Sequence, residues 1–279
     1  MYEVRPFLLY PIKIGTILQN NISTTVISNE NLISFLQNLE ENRTIELSEE
    51  YLKSNFCDKS DKIKDFLLEN KIIQPIVEKI INLKNICVIS NDEIFTNVSK
   101  MFMNDLDIYK KIDYINTYNN DFENINKDTL AIIFFNPFNL KEFETIIDKL
   151  KNKKCTIKSI FYYNHSIYIS NYYNFVWKNP CPKCFFYSLE AQLRGFNRRK
   201  DSINFQTLID LFYTKQINFN LEFISKSYHF IPIIDIIFKD LRFLNNFNDF
   251  ANTVYEISVE GISESADIAY HWEMCNCYE

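Results

Sequence analysis

Glycine is nearly missing from this sequence. Only Gly15, Gly195 and Gly261 occur among 279 residues, and they are far apart. A phosphate cradle needs clustered glycines so that backbone N–H groups can approach the phosphates. A Walker loop and a GxGxxG loop are therefore excluded. If ATP or NAD is used, something other than a glycine-rich loop of this chain must hold it. Histidine is as scarce. His165, His229 and His271 form neither an HExxH motif nor a pair, and there is no GxSxG elbow. This disfavours a self-contained hydrolase or kinase.

Long apolar runs are also lacking. The longest are Leu130 to Phe135 and Phe230 to Phe238, the second broken by Pro232 and Asp235. A spanning helix needs about 20 mostly apolar residues. The first residues, Met1-Tyr-Glu-Val-Arg5, show no charged leader followed by an apolar run and a cleavage site. The expectation is a cytoplasmic protein with reduced thiols and no membrane partner. The net charge of -6 and a pI near 5.3 give no support for nucleic-acid binding.

What the chain does have is apolar mass. Hydrophobic residues make up 47% and aromatics 16%, ample for a buried core. The length predicts two domains. In residues 1–78, Val4 to Tyr10 and Ile22 to Ser28 read as strands. Ser28 or Asn29 caps a helix carrying Leu32, Phe35, Leu36 and Leu39. Ser48-Glu49-Glu50 opens a second helix with Leu52 and Phe56. Ser60-Asp61 opens a third with Ile63, Phe66 and Leu67, stopped at Asn70. A strand at Ile72 to Val77 closes the unit. Strands and three short helices in this space suggest a winged-helix-like module.

Residues 85–170 alternate instead. Ile86 to Ser90, Thr129 to Phe135, Ile157 to Tyr163 and Ser166 to Ser170 read as strands. Asp92 to Met103 and Leu140 to Leu150 read as helices. The alternation predicts a parallel or mixed sheet with covering helices, without the usual nucleotide fingerprint. Residues 186–246 read as helices interrupted near Gly195 and Pro232, and Thr253 to Val259 as a strand.

Four of the seven cysteines fall in two pairs: Cys181-Pro-Lys-Cys184 and Cys275-Asn-Cys277. A CxxC turn stiffened by Pro180 and Pro182 can aim two thiolates at one cation. The CxC pair can add two more if the chain folds back beside it. Four thiolates suit tetrahedral zinc in a closed, structural site. The pairs lie about 90 residues apart, unusual for a zinc ribbon. A redox CxxC of the thioredoxin kind is the alternative, but the βαβ context it needs is absent. Cys57, Cys87 and Cys155 sit in apolar patterns and are expected to be small core residues. His271 is expected to pack beside the metal site rather than bind it. Arg194, Arg198, Arg199 and Lys200 form the one basic cluster. It is either a solvated helix end or a contact for an acidic partner.

The block Asn179-Pro-Cys-Pro-Lys-Cys-Phe-Phe-Tyr-Ser-Leu-Glu190, with Phe196-Asn-Arg-Arg199, Asn204-Phe205 and His271-Trp-Glu-Met-Cys-Asn-Cys277, resembles the McbB family, the zinc subunits of microcin synthetases. The likeness covers the whole chain and is most specific in the last third. It implies an α/β fold, α+β overall. A winged-helix-like peptide-recognition module at 1–78 is followed by a degenerate E1-like, ThiF-related domain at 79–279. It implies Zn2+ held by Cys181, Cys184, Cys275 and Cys277. It also implies a role in azole formation, in which Cys, Ser or Thr side chains attack the preceding amide and water is lost. ATP is then expected on a YcaO-type cyclodehydratase partner and FMN on a flavin dehydrogenase partner. The present subunit, a homodimer within the complex, would present a ribosomal precursor peptide.

Leader capture of this kind works by strand addition: main-chain hydrogen bonds give affinity and pockets give specificity. The expected surface comprises strand Ile22 to Ile27 and helix Ile63 to Leu68. Val26, Ile27, Phe66 and Leu67 would line pockets, and Lys62 or Lys64 would meet an acidic leader side chain. Two rivals predict different chemistry. A self-contained E1-like adenylating enzyme would exchange ATP and pyrophosphate alone. A winged-helix metal-dependent regulator would bind DNA with a steep salt slope.

Overall fold

The computed structural model describes all residues except 21–22, 43, 45, 77–82, 104–110, 117–121, 197–204, 216–219, 243–246, 260–262 and 278–279. The chain divides into two compact units. The first is Met1–Glu78 with His271–Asn276, and the second is Lys79–Tyr270 with Cys277–Glu279.

The first unit holds two small antiparallel sheets and three helices. Strands β1 (Tyr2–Val4), β5 (Glu46–Leu47) and β6 (Ile73–Pro75) form one sheet in the order β5-β1-β6. Strands β2 (Leu8–Ile12), β3 (Gly15–Gln19) and β4 (Thr24–Ile27) form the other. The single strand expected over Val4 to Tyr10 is thus two. Arg5-Pro6-Phe7 separates them, and the chain switches sheets there. Ile22 and Val77 of the expected strands lie outside the described residues. Strand β3 had no apolar alternation to announce it. The turn at Gly15, at φ +146°, makes the hairpin. A Cβ there would lie 2.2 Å from the Ile27 carbonyl oxygen, so only glycine fits.

The helices follow their caps. Asn29 accepts from the Leu32 amide and opens α1 (Glu30–Glu41); Ser48 accepts from the Tyr51 amide and opens α2 (Glu49–Phe56). Helix α3 spans Ser60–Glu69, with no side-chain cap. Leu32, Phe35, Leu36, Leu39, Leu52 and Leu67 pack with Leu18 and Ile27 into one core. Cys57 corrects the sequence expectation. It is exposed, at φ +47° in the turn between α2 and α3, one residue beyond the apolar stripe ending at Phe56.

The second unit is built on a seven-stranded mixed sheet, ordered β13-β12-β11-β10-β9-β7-β8. The strands are β7 (Asn85–Ser90), β8 (Lys111–Ile115), β9 (Thr129–Phe135), β10 (Thr156–Tyr163), β11 (Ser166–Ile169), β12 (Thr253–Ser258) and β13 (Glu264–Ile268). Strands β8, β7, β9 and β10 are parallel, and the rest join antiparallel. Helix α4 (Glu93–Met103) and helix α5 (Leu140–Asn152) are the connections that parallel pairing demands. Strand β9 is buried along its whole length, as its unbroken apolar run requires.

One sheet face packs Ile86, Val88, Ile132 and Phe134 against Phe230, Ile233, Ile234 and Ile237 of α8 (Ser227–Arg242). An aromatic cluster of Phe135, Phe138, Phe143, Phe161 and Phe186 fills the space beside α5 and α6 (Pro182–Phe196). Of the two expected interruptions, α6 ends at Phe196, one residue beyond Gly195, whereas Pro232 lies inside α8. Pro232 is near the start of its helix, where the loss of one amide donor is tolerated because the buried apolar face holds the helix in place. The remaining helices are α7 (Phe205–Thr214) and the short α9 (Phe247–Phe250). No helix among the described residues is long and apolar enough to cross a membrane.

Cys87 and Cys155 are core residues, 2% and 1% exposed, and burial pushes both thiols up to about 12. Alkylating the native protein at mildly alkaline pH is expected to label Cys57 and spare Cys87 and Cys155. Peptide mass mapping checks this; rapid labelling of Cys87 would contradict its buried place.

Candidate functional site

The four paired cysteines converge. The ligand atoms of Cys181, Cys184, Cys275 and Cys277 all lie within 4.8 Å of one another. Cys181, Cys184 and Cys277 are buried, and Cys275 is half-buried as a residue. The Cys181 and Cys184 sulfurs are 3.8 Å apart, and those of Cys184 and Cys277 are 3.4 Å apart. No disulfide joins them. Four sulfurs around zinc at ~2.3 Å would be separated by roughly 3.8 Å along the edges of a tetrahedron. The donor set and its spacing fit a closed tetrahedral site for a soft, thiolate-seeking cation.

The local sequence holds the knuckle rigid. Cys181 immediately precedes α6, and its carbonyl accepts from the Phe185 amide. Pro182 opens that helix, where no donor is needed. Buried asparagines fix the approach. Asn171 donates to the Pro180 carbonyl at 2.8 Å, and Asn179 donates to the Tyr172 carbonyl at 2.6 Å. Asn179 also donates to the Asn252 side chain at 3.1 Å, and the Asn252 carbonyl accepts from the Ala269 amide. Asn252 thus ties the knuckle to the strand that leads into the tail. Tyr173 donates to the Cys277 carbonyl at 3.5 Å. Within the tail, the Cys275 amide donates to the Trp272 carbonyl. The tail is turns and extended chain rather than a strand.

His271 is not a member of the sulfur cluster. It is buried, and its Nε2 accepts from the Arg5 guanidinium at 2.5 Å. Arg5 is itself 2% exposed and sits 4.0 Å from Glu3. That contact was not readable from the sequence, since no motif marks Arg5.

The end of the parallel sheet, where α/β proteins bind nucleotides, carries a hydrogen-bonded side-chain cluster. The Asp92 carboxylate accepts from the Phe95 amide at 2.8 Å, Asn136 Nδ2 at 2.8 Å and Ser225 Oγ at 2.7 Å. A carboxylate capping α4 here would repel a phosphate at the helix N-terminus.

The expected peptide-binding residues divide. Val26 is 54% exposed, and Lys62 is exposed. Phe66 is half-buried. Ile27 and Leu67 lie in the core of the first unit, so their side chains are closed to a peptide. Lys64 is engaged by Asp61 at 3.1 Å. Of the basic cluster, Arg194 pairs with Asp210, and with Glu190 at 3.7 Å. Burial pushes the Glu190 carboxyl up, against the hydrogen bond it accepts from Tyr163 at 2.7 Å. Arg198, Arg199 and Lys200 lie outside the described residues.

Comparison with known proteins decides the family. The family model described as "Microcin B17-processing protein McbB" matches residues 2–279.

The chain belongs to the McbB family. Its fold is also found in solved structures. A chain of the E. coli microcin synthetase McbBCD complex is 19% identical with a TM-score of 0.58, covering 99% of this chain and 100% of that one. A chain of the same E. coli complex with pro-MccB17 bound is 20% identical with a TM-score of 0.52, covering 100% and 99%. No curated protein matches by sequence.

Proposed function

We propose that this chain is the leader-binding, zinc-containing scaffold subunit of a synthetase that forms thiazole or oxazole rings in a ribosomal precursor peptide. The observation that carries the reading is the match to a microcin-processing family along the chain's whole length. The first unit is the winged-helix-like recognition module, with the peptide added to the edge of β4 beside Val26 and half-buried Phe66, and with Lys62 for an acidic leader side chain. The second unit is a degenerate E1-like domain. Zinc held by Cys181, Cys184, Cys275 and Cys277 supplies a structural cross-link and no reaction step. The Asp92 cluster supports placing ATP on a YcaO-type partner rather than here. FMN belongs to a dehydrogenase partner. Arg198 and Arg199 are the basic residues proposed to contact an acidic partner, Arg194 being engaged within the chain. The complex assembles in the cytoplasm around a homodimer of this subunit.

Its own residues bind and orient. The partners supply the chemistry: side-chain attack on the amide, loss of water, then removal of two hydrogens by the flavin. Co-expression of the chain with its YcaO-type and flavin partners and their precursor peptide tests the role. The peptide should lose one water and one H2 per ring, and omitting this chain should abolish the loss. Equal ring formation without it, or ATP–pyrophosphate exchange by the chain alone, would overturn the reading.

A further inference from the structure

The sheet β2-β3-β4 carries a pattern that bears on which peptides it accepts. Strand β4 pairs with β3 on one side only, and among the described strands its other edge is open. Its register places Tyr10 opposite Ile17 and Ile17 opposite Val26. This row faces away from the core: Tyr10 is 46% exposed and Val26 54%, whereas Leu18 in the neighbouring row is 1% exposed. The next outward row is Leu8, Gln19 and Thr24, polar where it reaches β4. The apolar row therefore runs across three strands and stops at the open edge.

We infer that the edge of β4 selects an extended peptide segment with an apolar residue opposite Val26 and a polar residue two positions away opposite Thr24. This rests on the strand-addition reading given above and adds its sequence preference. A strand added to β4 must place alternate side chains on the outward face, because the side-chain period is two. The side chain opposite Val26 then completes the Tyr10–Ile17–Val26 row. A cross-strand pair of β-branched or aromatic residues is favoured there, and a charge is not. The side chain opposite Thr24 meets hydroxyl and amide neighbours instead. The open backbone of the edge and an apolar row ending on it commit the occupant to an extended strand of one peptide.

The experiment selects peptides from a displayed library of random 16-residue sequences against the full-length protein, wild type and Val26→Arg. Val26 is exposed, so the variant is expected to fold; circular dichroism confirms that before selection. The wild type should enrich sequences with an apolar residue and a small polar residue two positions apart. Val26→Arg should bind those peptides about fivefold more weakly and enrich an acidic residue at the apolar position. Peptides that bind through their main chain, lose binding on N-methylation, and are indifferent to Val26→Arg would overturn the inference while leaving strand addition intact. No enrichment by the folded wild type would overturn both.

Discussion

Cys277→Ser is expected to lower stability by about 4 kcal/mol, read from denaturant unfolding as a lower midpoint with a steeper slope, because the unfolded chain without the cross-link is less compact. The Cys184–Cys277 contact closes 93 residues of chain, and a cross-link over so long a loop removes a large part of the unfolded chain's freedom. The loss falls on the unfolded state, so few native contacts need change. Cys57→Ser, at an exposed thiol, should leave the midpoint unmoved. A strong chelator should bring the wild type down to the level of Cys277→Ser and leave that variant where it is. If Cys277→Ser proves as stable as the wild type, the two cysteine pairs do not form a cross-link.

The second large effect is expected at Lys158. Its side chain is fully buried in β10, with Nζ 3.4 Å from Asp240 and 3.8 Å from the centre of the Tyr172 ring. Tyr172 also donates to Asp240 at 3.0 Å. Burial pushes the Lys158 ammonium down to about 8 and the Asp240 carboxyl up, and the attraction between the two opposes both shifts. Lys158→Met alone strands the buried carboxylate and is expected to cost about 3 kcal/mol. Adding Asp240→Leu should recover most of that loss, because two buried charges cost nearly as much to desolvate as they gain in pairing. The pH dependence has a definite sign. The unfolded lysine keeps its proton up to about 10.5 and the folded one only to about 8. Between these values the unfolded state binds more protons, so this group's contribution to stability rises with pH. The stability difference between wild type and Lys158→Met should widen across that window. A double variant no more stable than the single one would show that the pair is not a closed unit.

Much of the fold could be read from local chemistry. Helix α1 follows from Asn29 and the spacing of Leu32, Phe35, Leu36 and Leu39, and β9 follows from its apolar run. Strand β13, Glu-Ser-Ala-Asp-Ile, could not be read that way. All its residues are exposed at the sheet edge, so no burial pattern is imprinted on them. Strand β3 depends on a turn at Gly15 that is recognisable only beside Ile27. Cys57 looked apolar in context, yet its turn carries it outward.

The four-cysteine cluster was half legible. Each pair has ligand spacing, but spacing across the intervening residues does not say that the pairs meet. The β12–β13 hairpin and the Asn252 contacts accomplish that. Residue type named Ile27 and Leu67 as peptide contacts along with Val26. Burial separates them: Ile27 and Val26 are adjacent on β4 and so face opposite sides, and Leu67 lies on the buried face of α3.

In the function proposed above, two distant cysteine pairs make one zinc centre in an McbB-family subunit. Zinc content per chain tests it most directly, measured on protein purified under reducing conditions, for the wild type and for Cys181→Ser and Cys275→Ser. One zinc per wild-type chain is expected, with loss or marked weakening in both variants, although one changes the knuckle and the other the tail. A folded wild type without zinc, or zinc retained in full by Cys275→Ser, would contradict it.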